Sequence, residues 1–274
     1  MPFETALALA TIGLRPLHPL AGAEVTGLAL ARPLAAPMAE VLHDALIEHG
    51  VLLIRDQAAD QAALAALAAQ LAAIEAPLLD QGLHQAPLTL PLSIGAPPEV
   101  PPPGAGPFWH ADRSYAASPA LACIAHAELA GGRIAFADQR AAAARLPPGL
   151  RAQIETLQAE HRNPAAPAQH AEHPVLRRHP ITGDATLAVS PGFTTRILNR
   201  TAAESRALLA RLFAAATDAA LVFTHACQPG DVVIWDNRRM LHTACTAAGI
   251  TRLRIEGDRP VGAQALAMPW VSAG

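Results

Sequence analysis

Gly230-Asp231-Val232-Val233-Ile234-Trp235-Asp236-Asn237-Arg238-Arg239-Met240-Leu241-His242 holds an apolar run, a polar connector and the start of a second apolar run. Val232 to Trp235 is short and rich in β-branched residues, as a buried strand is. Leu241 to Cys245 reads as the next strand. With Val222 to Ala226 before them and Thr251 to Glu256 after, these runs make a set of closing strands. Helices come earlier in the chain. Pro37 to His49 places Leu42, Ala45, Leu46 and His49 on one face and is ended by Gly50, while Asp60 to Ile74 is apolar or small on nearly every face. Val51 to Ile54 between them is a continuous apolar run of buried-strand length. Early helices and many short later strands predict a mainly β protein with flanking helices, its core a jelly roll, or double-stranded β-helix.

The remaining elements follow from punctuation and caps. Gly13, Gly22 and Gly27 break Ile12 to Leu30 into small strands. Ala120 to Glu128 and Ile134 to Ala137 read as strands joined by a Gly131-Gly132 turn. Ala141 to Leu146 and Pro148 to Leu157 read as short helices, the second with proline in its first turn. Ala159 to His173 reads as a loop carrying solvated histidines, Leu187 to Ser190 as a strand, and Gly192 to Ile197 as a turn. Thr201 to Ala215 is a helix with a capping box, Thr201 at the N-cap and Glu204 three residues on. Pro77 to Pro107 is rich in proline and glycine and poor in charge, so most of it is loop, with Leu88 to Ile94 as one strand.

The chemistry gathers at Phe108-Trp109-His110-Ala111-Asp112 and at the far end of the opening stretch, His242. Residues two apart in an extended segment point the same way, so His110 and Asp112 can reach one ion while Ala111 faces elsewhere. Two imidazoles and one carboxylate form the ligand set that holds Fe(II) on one face and leaves other positions open. His-x-Glu also occurs at His126-Ala127-Glu128 and His170-Ala171-Glu172. Context separates the three. His110 follows a Pro/Gly-rich loop beside two aromatics, His126 sits within an apolar strand, and His170 lies in a polar, proline-containing stretch.

Composition sets the outer bounds. The 274 residues suit one large domain, 1–274, that can bury a substantial core. A net charge of -3 gives no electrostatic reason to expect nucleic acid as a partner. All twenty basic residues are arginine, a pattern read as coding bias before function. Cys123, Cys227 and Cys245 are odd in number and form no Cys-x-x-Cys pair, so a reducing cytoplasm is the expected setting. No membrane partner is expected, because the most apolar stretch, Asp60 to Ala76, reads as a helix of the core.

Five segments, in order, resemble the taurine dioxygenase family of Fe(II)- and 2-oxoglutarate-dependent oxygenases. They are Gly22 to Gly27, His49 to Gln57, Trp109-His110-Ala111-Asp112, Gly192 to Ile197, and Gly230 through His242. The resemblance implies Fe(II) held by His110, Asp112 and His242, with 2-oxoglutarate as co-substrate. It implies decarboxylation to succinate and CO2 coupled to hydroxylation of a small molecule by O2. It also implies a lid at about 77–107, a substrate-side histidine near His84, and a homo-oligomer of two or four chains.

At the co-substrate positions the chain departs from that family. With Gly257-Asp258-Arg259-Pro260 as anchor, the usual 2-oxoglutarate arginine falls on Ala248, and the usual threonine on Ile134. Arg252 matches instead an arginine that in the taurine enzyme faces the substrate sulfonate, and Arg254 shares its strand face. Arg252, backed by Arg254, is therefore the candidate cation for the co-substrate carboxylate. The departure leaves open an altered pose of 2-oxoglutarate, another 2-oxo acid, a self-chelating substrate, or a non-catalytic ligand-binding relative.

Overall fold

The structure, a computed structural model, describes residues 12–79, 90–94, 108–243 and 249–264. The first half runs β1 (Gly13–Pro16), β2 (Ala23–Thr26), α1 (Ala36–His49), β3 (Val51–Ile54), α2 (Gln61–Leu79), β4 (Leu92–Ile94), β5 (Trp109–His110), β6 (Ala120–Ala127) and β7 (Arg133–Asp138). Two short helices follow, α3 (Gln139–Arg145) and α4 (Pro148–Ile154), then β8 (Gln158–Arg162), β9 (His170–Pro174), β10 (Leu176–Arg178), β11 (Ala185–Leu187) and β12 (Thr194–Ile197). The chain then forms α5 (Ala202–Ala216) and closes with β13 (Val222–Ala226), β14 (Val232–Asp236), β15 (Met240–Thr243) and β16 (Ile250–Glu256).

Two sheets face each other. One has seven strands in the order β1-β2-β3-β14-β6-β16-β4, the other four in the order β13-β7-β15-β5. Neighbours are antiparallel except β2 beside β3. The opening stretch spans both sheets, with β14 central in the first and β15 in the second. Its alternation explains why it looks uniformly apolar. Val232 and Ile234 face the layer built by Leu64, Leu67 and Leu71 of α2, while Val233 and Trp235 face Phe136 and Cys123 between the sheets. A strand covered on both faces has no polar side to show.

Helix α2 is long and apolar enough, by length and composition, to cross a membrane. Here it packs on α1 and on β16 and β4. Its buried face carries Glu75, 1 % exposed, a carboxylate that the core must neutralise. Helix α1 ends as its sequence indicates. Gly50 adopts φ 74° and its N–H bonds the Leu46 carbonyl, a left-handed cap that favours glycine.

The capping box on α5 is present in full. The Glu204 backbone N–H donates to the Thr201 hydroxyl, and the Glu204 carboxylate accepts from the Thr201 backbone N–H at 2.9 Å. Thr201→Ala is expected to lower stability by about 1 kcal/mol with the fold intact, measured as the denaturant midpoint at unchanged slope.

Several expectations are corrected. Ala159 to His173 is not one loop: β8 and β9 pair across it, and His161 and His173 are buried at 3 % and 4 % exposure. These strands are polar in sequence, and their burial comes from covering segments elsewhere in the chain. His170 is exposed, as expected. Thr194 to Ile197 is a strand rather than a turn, paired with β8. The Gly131-Gly132 segment does not close a hairpin, because β6 and β7 belong to opposite sheets. Of the region about 77–107, helix α2 extends to Leu79 and β4 pairs with β16; His84 lies outside the described residues.

Candidate metal centre

His110 ends β5 and His242 lies in β15, and the pairing of these strands sets the two directly opposite each other. Their rings stand 4.3 Å apart between centroids. Asp112 follows in the turn after β5. Its oxygen Oδ1 lies 3.4 Å from His110 Nε2 and 3.7 Å from His242 Nε2. One potential ligand atom from each of the three residues falls within 4.8 Å of the others, and all three side chains are buried. His126, on the opposite face of β6 from Cys123, takes no part.

The turn that presents Asp112 is fixed from behind. The Asn237 carboxamide accepts from the Asp112 backbone N–H at 2.7 Å and donates to the carbonyls of Asp112 and Ala120 at 3.0 and 2.8 Å. Arg113, the next residue, sits at φ 56°, an uncommon conformation for a side chain of that size, of the sort functional turns retain. It ion-pairs with Glu256 at the end of β16. Asn237 belongs to the polar connector of the opening stretch, so the same segment supplies one candidate ligand and anchors another.

The donor chemistry fits a metal ion. His110 Nδ1 is 3.0 Å from the Phe108 carbonyl, which assigns its proton to that nitrogen and leaves a lone pair on Nε2. Neither Nε2 nor Asp112 Oδ1 has a hydrogen-bond partner among the described residues. Two buried acceptors facing each other at 3.4 Å are electrostatically unfavourable until a cation lies between them.

The protonation states agree with that fit. Burial alone would raise the Asp112 pKa, but the charge of Arg252 and the neighbouring imidazoles hold it well below the usual carboxylate range. Burial, reinforced by His110, pushes His242 down to about 3, so its imidazole is neutral. A carboxylate and a neutral imidazole are the forms that bind metals.

The second oxygen of Asp112 is already occupied. Oδ2 accepts from Arg252 Nη2 at 2.6 Å and from the Cys123 thiol at 3.0 Å, and Arg254 Nε is 3.3 Å away. Only Oδ1 is left to face an ion. Arg252 also lies over the Trp235 ring, 5.3 Å from its centroid, and its Nη2 is 3.4 Å from His242 Nε2. Arg252 and Arg254 are buried at 4 % and 6 % exposure on β16, between β6 and β4, and are not on a sheet edge. The sequence missed Cys123 as a neighbour of the centre. Its place on the strand between β14 and β16 puts it there, and no local pattern marks it.

Among known proteins, the model of the taurine catabolism dioxygenase TauD, TfdA family matches residues 13–257. This chain belongs to that family. An α-ketoglutarate-dependent sulfate ester dioxygenase from Pseudomonas putida is 30% identical over 94% of this chain and 95% of its own. An (S)-phenoxypropionate/α-ketoglutarate dioxygenase from Sphingobium herbicidovorans is 33% identical over 54% of this chain; the match spans 59% of that relative's length. The crystal structure of a taurine dioxygenase from Burkholderia xenovorans superposes with a TM-score of 0.76 and 29% identity, covering 92% of this chain and 93% of that one. The jelly-roll expectation is thereby met. Fe(II) and 2-oxoglutarate are the cofactor and co-substrate of this dioxygenase family.

Proposed function

We propose that the chain is a dioxygenase that couples decarboxylation of 2-oxoglutarate to O2-dependent hydroxylation of a small anionic molecule. In this reading His110, Asp112 and His242 hold Fe(II), and Arg252 and Arg254 hold the anions. The observation that carries it is the meeting of His110 Nε2 and Asp112 Oδ1, both buried and without a partner among the described residues, beside His242. When bound, the iron supplies oxygen activation; the chain supplies orientation, charge and exclusion of water.

Charge supports an anionic substrate. One carboxylate, Asp112, faces two buried guanidiniums, Arg252 and Arg254. With a divalent ion beside them, two buried guanidiniums that share one carboxylate favour negatively charged ligands, 2-oxoglutarate and an anionic substrate, over neutral ones. Sulfate esters and phenoxypropionate, the substrates named for the two relatives, are of this kind.

The departure at the co-substrate positions points to Arg252. Ile134 is buried and apolar at 3 % exposure, so it offers no hydroxyl, and position 248 lies outside the described residues. Arg252 lies over the Trp235 ring, and its Nε has no partner among the described residues. A guanidinium with a donor to spare suits a bidentate carboxylate. A cytoplasmic setting suits the buried Cys123 thiol.

The test is oxygen uptake with succinate measured in parallel over a panel of sulfonates, sulfate esters and aryloxy acids. Succinate should form in step with O2, and Arg252→Ala should raise the 2-oxoglutarate concentration for half-maximal rate at least roughly 30-fold, the effect of removing a buried charged partner. Oxygen uptake indifferent to added 2-oxoglutarate would remove the co-substrate from this reading and leave the metal centre standing.

A further inference from the structure

Three groups surround Asp112 Oδ2, the oxygen of the ligand carboxylate that is not nearest the two imidazoles. Arg252 Nη2 is 2.6 Å away, the Cys123 sulfur 3.0 Å and Arg254 Nε 3.3 Å. Two of the three are cations, and only the thiol is neutral. That difference decides which of them can serve a metal centre.

Arg252 stands where the charge of an ion would be felt most. The same Nη2 that bonds Asp112 lies 3.4 Å from His242 Nε2, so it borders the space between that nitrogen and Asp112 Oδ1, themselves 3.7 Å apart. A divalent ion taken up there would have a guanidinium beside it, and like charges so close in a buried setting repel strongly. Arg254, two residues on in β16, carries the same charge. Each arginine is a partner of Asp112 whose hold an ion would weaken.

Cys123 has neither the charge nor the freedom to leave. It sits in β6, which is paired on both edges, and stands across from Trp235 of β14 on one side and Arg254 of β16 on the other. It is fully buried, in a cluster with Ala125, Val233 and Phe136. An ionised carboxylate can only accept, so the thiol donates to it. Asn237 fixes the backbone of the Asp112 turn; the carboxylate itself needs a separate hold. A donor kept on Oδ2 leaves Oδ1, buried and without a hydrogen-bond partner among the described residues, 3.4 Å from the equally unpartnered His110 Nε2.

We infer that Cys123 is a positioning residue of the metal centre, its thiol holding Asp112 Oδ2 when an ion is bound so that Oδ1 stays turned to the two imidazoles. This role rests on the proposed metal centre and is indifferent to which anions the arginines hold.

The test titrates the full-length, metal-free chain with Mn(II) alone, so no turnover enters the readout. Cys123→Val fills the space without a donor, Cys123→Ala removes the donor and adds no bulk, and Cys123→Ser keeps a donor. The dissociation constant for Mn(II) should rise about 10-fold in Cys123→Val and Cys123→Ala, the low end of what changes around metal ligands cost because a thiol is a weak donor. Cys123→Ser should recover most of that loss. Thermal melts of the metal-free proteins measure the packing cost separately. A hydroxyl set among apolar side chains should not melt above Cys123→Val, so affinity and stability should not rank together. Affinities equal to wild type in Cys123→Val and Cys123→Ala, a loss in Cys123→Val alone, or a Cys123→Ser as weak as Cys123→Val would each overturn the role of Cys123. Wild type that takes up no Mn(II) would instead remove the centre on which that role rests.

Discussion

Alanine at His110, at Asp112 or at His242 is expected to abolish stoichiometric Fe(II) binding and, with it, turnover, whereas His126→Ala leaves both in place. Changes to groups that merely orient metal ligands cost about 10–100-fold in affinity, so removal of a ligand should exceed that range. The three variants should nonetheless differ in stability. Either histidine removed relieves the contact between facing acceptors, but Asp112 removed leaves Arg252 and Arg254, both buried, without the carboxylate they share. Asp112→Ala should therefore also melt lower than His110→Ala, with Asp112→Asn between them, because removing a carboxylate shared by two buried like charges is destabilising. Metal analysis after desalting, equilibrium titration with Fe(II) or Mn(II), and thermal melts of the metal-free proteins measure all of this. Metal retained at one per chain in any of the three, or lost equally in His126→Ala, would mean the centre lies elsewhere.

That centre was legible because its signal is local chemistry on elements with clear periodicity. His110 and Asp112 are two residues apart beside aromatics, and His242 lies on a strand whose apolar run is unmistakable. Three closing strands fall within a residue of their expected bounds for the same reason, β14 being covered on both faces and reading as one apolar block; the end of the expected Leu241 to Cys245 strand lies outside the described residues. What the sequence hid are features created by distant partners. Strands β8 and β9 are polar because their side chains line a pocket or reach the surface, so they pass for loop. The Gly131-Gly132 turn looks like a hairpin because local turn chemistry carries no information about which sheet receives the next strand. Arg252 and Arg254 were assigned to one strand face correctly, but their burial depends on β4 covering the far side of β16.

Arg238→Met is expected to destabilise the fold by about 3–5 kcal/mol, the range for breaking a buried ion pair on one side. Arg238 is completely enclosed. It donates to both oxygens of Glu75, at 2.8 and 3.0 Å, and to both oxygens of Asp236, at distances from 2.7 to 3.3 Å. The acids are themselves held by imidazoles, Glu75 by His43 at 3.0 Å and Asp236 by His179 at 2.9 Å. Neither the Arg238–Glu75 contact, 163 residues apart in sequence, nor its burial has a local signature. Methionine matches the stem of arginine but leaves two carboxylates in the core with no guanidinium.

The pH dependence separates this mechanism from a simple loss of packing. Burial alone would raise the Glu75 pKa, and the Arg238 charge overcomes it, lowering the group from 4.5 to about 2. A carboxylate with a folded-state pKa below its unfolded one contributes stability that is complete above about pH 4.5 and is lost as pH falls toward 2. Without Arg238 the sign reverses, since burial then raises the pKa and acid relieves the uncompensated charge. The stability gap between wild type and Arg238→Met should therefore be widest near neutrality and narrow between about pH 5 and 3, and adding Glu75→Gln to the variant should recover part of the loss. Curves that fall in parallel on acidification would show that Arg238 fills space without balancing charge. Asp236 immediately precedes Asn237, whose carboxamide fixes the Asp112 turn. Loosening Asp236 should thus weaken metal binding at temperatures well below the melting point, an effect that packing loss in a remote helix would not produce.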